Sequence, residues 1–178
     1  MSAASRPDAD LAGAVAAWTE LDHALSRLTD ERAREPSALP GWTRAHVVAH
    51  IWGNAEGFAG AVSAAAVGRT GEQYPGGTEQ RARDIEGRAG LPIDVIVEGA
   101  REAHHTLVDA WDRVPDDGWD QPIRVTSGLI PVAESARGRW REIVIHHVDL
   151  DVGFGSGDVP ADYRAVDGER LAELRPDW

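Results

Sequence analysis

The chain has 178 residues, 42% of them apolar and 27% charged, and this length and composition predict one globular domain with a core. Thirty acidic residues outnumber eighteen basic ones, and the formal charge of −12 disfavours nucleic acid and anionic membranes as partners. The absence of cysteine excludes a disulfide framework, a thiolate metal site and a cysteine nucleophile. No apolar signal segment or bilayer-spanning stretch is predicted. We expect a cytoplasmic single domain over residues 1–178, with its core at about 10–155 and a tail at 156–178.

The first part of the chain predicts two helices separated by a loop. An apolar stripe with steps of three and four residues marks the first helix and consists of Leu11, Val15, Trp18, Leu21, Leu25 and Leu28. Residues 29–41, which contain two prolines and a glycine, are expected to form a loop. A second helix is predicted to begin at Trp42, with the Thr43 hydroxyl as its N-cap, and to continue past Phe58.

The rest of the chain predicts two more long helices. Residues 69–91 form a long crossover, within which residues 78–86 are expected to be a short helix. The third helix follows Pro92 and stops before Pro115, and the fourth covers residues 132–152. Between them a brief strand is possible at residues 123–125, and the tail predicts a short helix at 166–174. The predicted fold is all-α, a four-helix bundle with a long crossover between helices 2 and 3.

The fourth predicted helix carries a carboxylate and an imidazole that point to a metal site. Glu142 and His146 are four residues apart, so their side chains converge on one face. His50 lies among apolar residues of the second helix, where a polar group is costly unless something satisfies it. A metal bound by His50, Glu142 and His146 would satisfy all three groups. Two histidines and a carboxylate suit Zn²⁺ or another divalent first-row metal, with one position left open for chemistry.

The spacing leaves other interpretations open, because pairs of this kind also occur by chance on helices. His46 and His50 are four residues apart and could be the ligand pair, although His46 could instead face solvent. His147 is expected to pack in the core or to support a ligand from behind. Asp149, three residues after His146, could orient that imidazole or be solvated.

Further polar and aromatic residues have ordinary structural explanations. Of the neighbours His104 and His105, one is expected to pack and the other to be exposed. Four tryptophans are expected in the core rather than in a binding platform: Trp42, Trp52, Trp111 and Trp140. The crossover also carries three arginines that would be ordinary surface charges unless they lie beside an open metal site, where they could clamp an anionic substrate: Arg81, Arg83 and Arg88.

Three segments carry recognisable motifs. The first is LPGWTRAHVVAH at residues 39–50, and the second combines Arg81 with DIEG at residues 84–87. The third is WREIVIHHVDL at residues 140–150, followed by Gly153 and Phe154. Together they resemble the mycothiol-dependent maleylpyruvate isomerase family, within the DinB-like metalloprotein superfamily, over most of residues 10–155.

The resemblance implies a DinB-like bundle that binds zinc through His50, Glu142 and His146. It also implies mycothiol as the thiol cosubstrate, which would bring the nucleophilic sulfur that a chain without cysteine lacks. In the family's reaction a metal-bound thiolate adds to the cis double bond of maleylpyruvate, the resulting single bond rotates, and loss of the thiolate gives fumarylpyruvate. The enolate formed on the way needs positive charge nearby, from the metal or from Arg81.

We therefore expect a zinc- and mycothiol-dependent cis–trans isomerase acting on a small unsaturated dicarboxylate or enone, with Arg81 as a catalytic residue. A mycothiol S-transferase is one alternative, in which the same site attacks another electrophile and the thiol stays attached. A second alternative is a metal-stabilised helical module that has no catalysis of its own and acts through a partner. A homodimer is compatible with an exposed crossover, although no residue specifies it.

Overall fold

Four long helices form the bundle in a computed structural model that describes residues 5–178. They are α1 (Asp8–Leu25), α3 (Arg44–Ala65), α5 (Ile93–Asp112) and α6 (Val132–Asp149), and they confirm the four predicted long helices. Helix α3 packs against both α5 and α6, while α1 packs along α6. Small and β-branched residues let α3 occupy this central place, because Val47, Val48 and Ile51 are fully buried in its first half.

Three shorter helices complete the helical part of the described chain. Helix α2 (Asp30–Ala33) lies in the segment expected to be a loop, and Thr29 caps it by accepting a hydrogen bond from the Arg32 backbone N–H at 3.3 Å. Helix α4 (Gly77–Ala89) is the short helix predicted within the crossover. Helix α7 (Ala161–Leu174) is longer than the predicted tail helix and packs on α6.

A small sheet, which the all-α prediction did not include beyond one brief strand, lies beside the bundle. Among the described residues it has three strands, β1 (Gly71–Glu72), β2 (Pro122–Val125) and β3 (Gly128–Pro131). Strand β1 is parallel to β2, and β2 and β3 form an antiparallel hairpin. Gly71 packs so closely on α3 that a Cβ there would lie 2.2 Å from the Ala61 carbonyl oxygen, so only glycine fits.

Two helix ends differ from the expected boundaries. Helix α1 ends at Leu25, and Leu28 is buried from the turn that follows rather than from the helix. Helix α6 ends at Asp149 instead of residue 152, because Asp151 (φ 52°) and Gly153 (φ 107°) adopt the left-handed conformation that terminates helices. None of the described helices is both long enough and apolar enough to cross a membrane.

Candidate active site

Helices α3 and α6 bring three potential metal ligands together where they pack. The Nε2 atom of His50 lies 2.9 Å from Oε2 of Glu142 and 2.9 Å from Nε2 of His146. The remaining pair, Glu142 Oε2 and His146 Nε2, is 3.5 Å apart. Ligand atoms around a tetrahedral Zn²⁺ with bonds of about 2.0–2.1 Å are about 3.3 Å from one another. The three donor atoms therefore have the chemistry and nearly the spacing of three corners of such a site.

Burial and mutual hydrogen bonding set the charges of these three side chains. Burial lowers the pKa of His50 to about 4, against the opposing effect of Glu142. Burial alone would raise the pKa of Glu142, but the hydrogen bonds of His146 and His50 outweigh it and hold that pKa well below its usual value. Burial would lower the pKa of His146, whereas Asp149 and Glu142 raise it. The cluster is thus an ionised carboxylate between two imidazoles.

Both histidines have a partner on their second ring nitrogen. Asp149 Oδ2 lies 2.8 Å from His146 Nδ1, and Arg175 donates to both Asp149 oxygens at 2.6 and 2.5 Å. A carboxylate in this position fixes the ring orientation of a metal-binding histidine. The Nη2 atom of Arg81 lies 2.9 Å from His50 Nδ1. Because a guanidinium can only donate, His50 Nδ1 accepts this hydrogen bond.

A cavity of about 970 Å³ opens directly onto the cluster. Its walls come from α3, α6, α7, the β2–β3 hairpin and the segment that precedes α4, and they include Trp42, Asn54, Tyr74 and Arg141. A second cavity of about 250 Å³ lies between α3 and α4. Four residues border both spaces and lie between them: His50, Gln73, Tyr74 and Arg81.

The other histidines lie outside the cluster. His46, which the spacing left open as a ligand or a solvent-facing residue, is half-buried and lies outside the cluster, with its Nδ1 3.3 Å from the Thr43 backbone nitrogen and 2.7 Å from the Thr43 hydroxyl. His147 is buried and stacks on Phe154, with ring centroids 4.0 Å apart. His104 is buried against Trp18 while His105 is exposed, in agreement with the prediction that one packs and one does not.

The crossover arginines and the tryptophans divide between structural and site positions. Of Arg81, Arg83 and Arg88, only Arg81 contacts the cluster, while Arg88 pairs with Glu56 and covers the Trp52 ring. Trp111 and Trp140 are buried as expected. Trp42, in contrast, lines the large cavity, with its ring centroid 5.8 Å from that of His50.

Sequence reasoning missed Asn54, Tyr74 and Arg141 as residues that line the cavity. Asn54 is four residues after His50, so helical spacing alone would have placed it on the same face. Arg141 precedes Glu142 and forms a bidentate ion pair with Asp167 of α7, in which Nε donates to Oδ2 at 2.6 Å and Nη2 donates to Oδ1 at 2.8 Å. No sequence signal identifies Tyr74, because its position depends on how the crossover folds back onto α3.

Comparisons with known proteins agree with this geometry. The sequence profile described as the mycothiol maleylpyruvate isomerase N-terminal domain matches residues 14–151. The crystal structure of the mycothiol-dependent maleylpyruvate isomerase matches with a TM-score of 0.87 and 26% identity, over 93% of this chain and 69% of that chain. The structure of a histidine-to-alanine mutant of that isomerase matches over the same shares, with a TM-score of 0.87 and 25% identity. No sequence among curated proteins gives a significant match.

The fold corresponds to the class of DinB-like helical bundles. Within that class the chain belongs to the mycothiol maleylpyruvate isomerase N-terminal domain family, since the family profile covers more than three quarters of its length. The solved members it matches are enzymes.

Proposed function

We propose that this protein is a zinc- and mycothiol-dependent isomerase that converts a cis double bond of the maleylpyruvate type to trans. The observation that carries the proposal is the cluster of His50, Glu142 and His146, whose free side opens into a cavity of about 970 Å³. Membership of the isomerase family supports the reaction, and the absence of cysteine fits a sulfur nucleophile supplied by a cosubstrate.

The donor set fits a divalent metal. Two imidazole nitrogens and one carboxylate oxygen are within 3.5 Å of one another, and Asp149 supports one imidazole from behind. We assign the ligands as His50, Glu142 and His146. A zinc ion held there would supply the positive charge that keeps a thiol deprotonated at neutral pH.

The residues around the cluster bind and orient an anionic substrate. Arg81 borders the cavity, and no carboxylate of residues 5–178 lies within 4.0 Å of its guanidinium, so its charge is available to a substrate carboxylate or enolate. Three other arginines of the cavity wall are already paired: Arg137 with Asp10, Arg141 with Asp167 and Arg170 with Glu173. We therefore assign anion stabilisation to Arg81.

Replacement of Glu142 by glutamine tests the metal assignment. The amide keeps the shape but removes the negative charge, so we expect zinc affinity to fall by roughly 100-fold and isomerase activity to be lost. Glu134→Gln is the matched control, because Glu134 lies on the same helix and lines the same cavity. Zinc affinity is measured by competition with a chromogenic chelator. Equal affinities in the two variants would refute the ligand assignment.

Incubation of zinc-loaded protein with maleylpyruvate and mycothiol, followed by chromatographic separation of the cis and trans acids and mass spectrometry, distinguishes the reactions. An isomerase returns free mycothiol and a product with the mass of the substrate. A product whose mass has increased by that of the thiol would instead identify an S-transferase. A zinc-loaded protein that binds no mycothiol and turns nothing over would be a metal-stabilised module, contrary to the proposal.

A further inference from the structure

Helix α6 buries an arginine that has no carboxylate partner among residues 5–178 and that lies three residues before Glu142. Arg139 is fully buried, and no carboxylate of residues 5–178 lies within 4.0 Å of its guanidinium. Its Nη1 donates to the Ile51 carbonyl at 3.0 Å and to Asn54 Oδ1 at 2.8 Å. Burying a guanidinium in this way costs free energy, and burial lowers its pKa to about 10. We therefore look for the role of the buried Arg139 guanidinium in its contacts with Ile51 and Asn54.

The hydrogen bond from Arg139 fixes which way the Asn54 amide points. An arginine has only donors, so the oxygen of the amide must face it and the NH₂ group must face the opposite way. Asn54 is itself buried, one helical turn after His50, and it lines the large cavity, whereas Arg139 does not. The NH₂ group is therefore left on the side of the cavity, which Tyr74 and Arg81 also line.

The cavity wall beside His50 thus carries three hydrogen-bond donors, from Asn54, Tyr74 and Arg81. The Cζ atom of Arg81 lies 5.3 Å from the centroid of the Tyr74 ring. No carboxylate in the described part of the chain lies within 4.0 Å of the Arg81 guanidinium, and the amide of Asn54 is oriented by Arg139, which does not line the cavity. An oxyanion placed against this wall would receive hydrogen bonds from a charged and a neutral donor.

We propose that Asn54 binds an anionic oxygen of the substrate, together with Arg81, and that Arg139 is the positioning residue that aims the Asn54 amide at it. The class of substrate, a small unsaturated dicarboxylate, rests on the proposed function. The contact itself is tested without turnover, with maleate as the probe of a cis dicarboxylate.

The chain offers a direct spectroscopic test, because Asn54 is its only asparagine. Protein labelled with ¹⁵N in the asparagine side chain gives one carboxamide ¹⁵N resonance, with a pair of N–H protons. Titration of maleate into the zinc-loaded protein is expected to shift that signal with a saturable dependence on concentration. No maleate binding, or binding that leaves the Asn54 signal in place, would overturn the proposal.

Asn54→Asp separates the two roles of the residue. The carboxylate still accepts from Arg139 and gives that buried charge a partner, so thermal stability is expected to be kept or raised. It also replaces the donor that faces the cavity with an acceptor, so maleate affinity is expected to fall at least tenfold. Gln73→Glu is the matched control, since it adds a carboxylate at another buried residue of the same cavity. Wild-type affinity in Asn54→Asp, or an equal loss in Gln73→Glu, would overturn the proposal.

Arg139→Met tests the positioning role, because methionine fills the core without donating to Asn54. Maleate affinity is expected to fall severalfold although the changed residue does not line the cavity, and wild-type affinity in this variant would overturn the role. If the variant does not fold, Asn54→Asp and the labelled amide still decide the proposal.

In turnover assays Asn54→Asp is expected to raise KM for maleylpyruvate more than it lowers kcat. A lack of any mycothiol-dependent turnover would refute the proposed function and leave the maleate result standing.

Discussion

The two nitrogens of the His50 ring have different partners, and this makes Arg81 and a metal ion compete for the same side chain. Arg81 donates to Nδ1, which leaves the proton of the neutral ring on Nε2, the atom that faces Glu142. A metal bound at Nε2 requires the proton to be on Nδ1, where it would oppose the Arg81 N–H. The positive charge of Arg81 disfavours a nearby cation as well.

Arg81→Met should therefore strengthen zinc binding while it weakens catalysis. We expect zinc affinity to rise by roughly tenfold, which corresponds to about 1.4 kcal/mol, because the competing donor and its charge are gone. Isomerase activity should fall because the substrate anion loses its cation. Chelator competition and an activity assay on the same preparation measure the two effects. Weaker zinc binding in Arg81→Met would show that the arginine supports the metal site instead.

His104 should make the stability of the bundle sensitive to acid. Burial, and then the charge of Arg139, lower the pKa of His104 to about 2, whereas an unfolded histidine titrates near 6.5. The unfolded chain therefore binds more protons below pH 6.5, and the stability contributed by neutral His104 is lost progressively as the pH falls from 6.5 towards 2.

Between pH 7 and pH 5 this one group should cost about 2 kcal/mol in the free energy of unfolding. In His104→Phe, which keeps a ring against Trp18, that part of the pH dependence should disappear. Urea unfolding at the two pH values measures it. The exposed neighbour provides the control, since His105→Phe should behave as the wild type does. An unchanged pH dependence in His104→Phe would mean that other titratable groups determine how the free energy of unfolding changes between pH 7 and pH 5.

At the scale of the elements, α3 can approach the crossover only because it has glycine at the contact. A Cβ added to Gly57 would lie 2.4 Å from the Gln73 carbonyl oxygen, whereas a Cβ on Gly60, one turn later, meets nothing within 4 Å. Gln73 precedes Tyr74 and borders both cavities, so this contact also sets the depth of the site.

Alanine at these two glycines should therefore have opposite effects on stability. Gly57→Ala must push back the Gln73 backbone, and we expect a loss of about 1–3 kcal/mol. Gly60→Ala on the exposed side of the same helix should gain about 0.5–1 kcal/mol from helix propensity. Thermal or urea unfolding of both variants checks the pair. Equal changes in stability in the two variants would show that the crossover backbone at Gln73 moves away from the added methyl group at little cost.

The long helices could be predicted from the sequence because apolar periodicity over 18 or more residues is a strong signal. Strands β1 and β3 could not, since elements of two to four residues are defined by their partners rather than by their own pattern. Spacing selected Glu142 and His146, and together with the family resemblance it identified the cluster. Asn54 and Tyr74 were missed because their importance lies in burial and orientation, which only the packed structure reveals.

At the scale of the whole molecule, the C-terminal helix is held to the bundle by charge. Asp167 of α7 accepts from Arg141 and from the Tyr163 hydroxyl at 2.8 Å, and it is almost fully buried. Arg175, just after α7, binds Asp149, which in turn bonds His146. The last helix is therefore tied both to the cavity wall and to one of the proposed metal ligands.

Asp167→Asn should loosen α7 while the bundle stays folded. Loss of the ion pair is expected to cost the helix about 2 kcal/mol, so its amide hydrogens should exchange roughly 30-fold faster. Amides of α3 and α5 should exchange at their wild-type rates. Glu169→Gln, at an exposed position of α7, serves as the control. Faster exchange throughout the protein would show that α7 is part of one cooperative unit with the bundle.

Two of the contacts between α3 and α6, His50 with Glu142 and Asn54 with Arg139, also determine where the chain can change length during evolution. One residue inserted between Arg139 and Glu142 would turn the rest of α6 by about 100° and point Glu142 away from His50. An insertion in the hairpin turn at residues 126–127 leaves this rotation unchanged. Diverging sequences should therefore gain and lose residues in the turns and keep the distance from position 139 to position 146 constant.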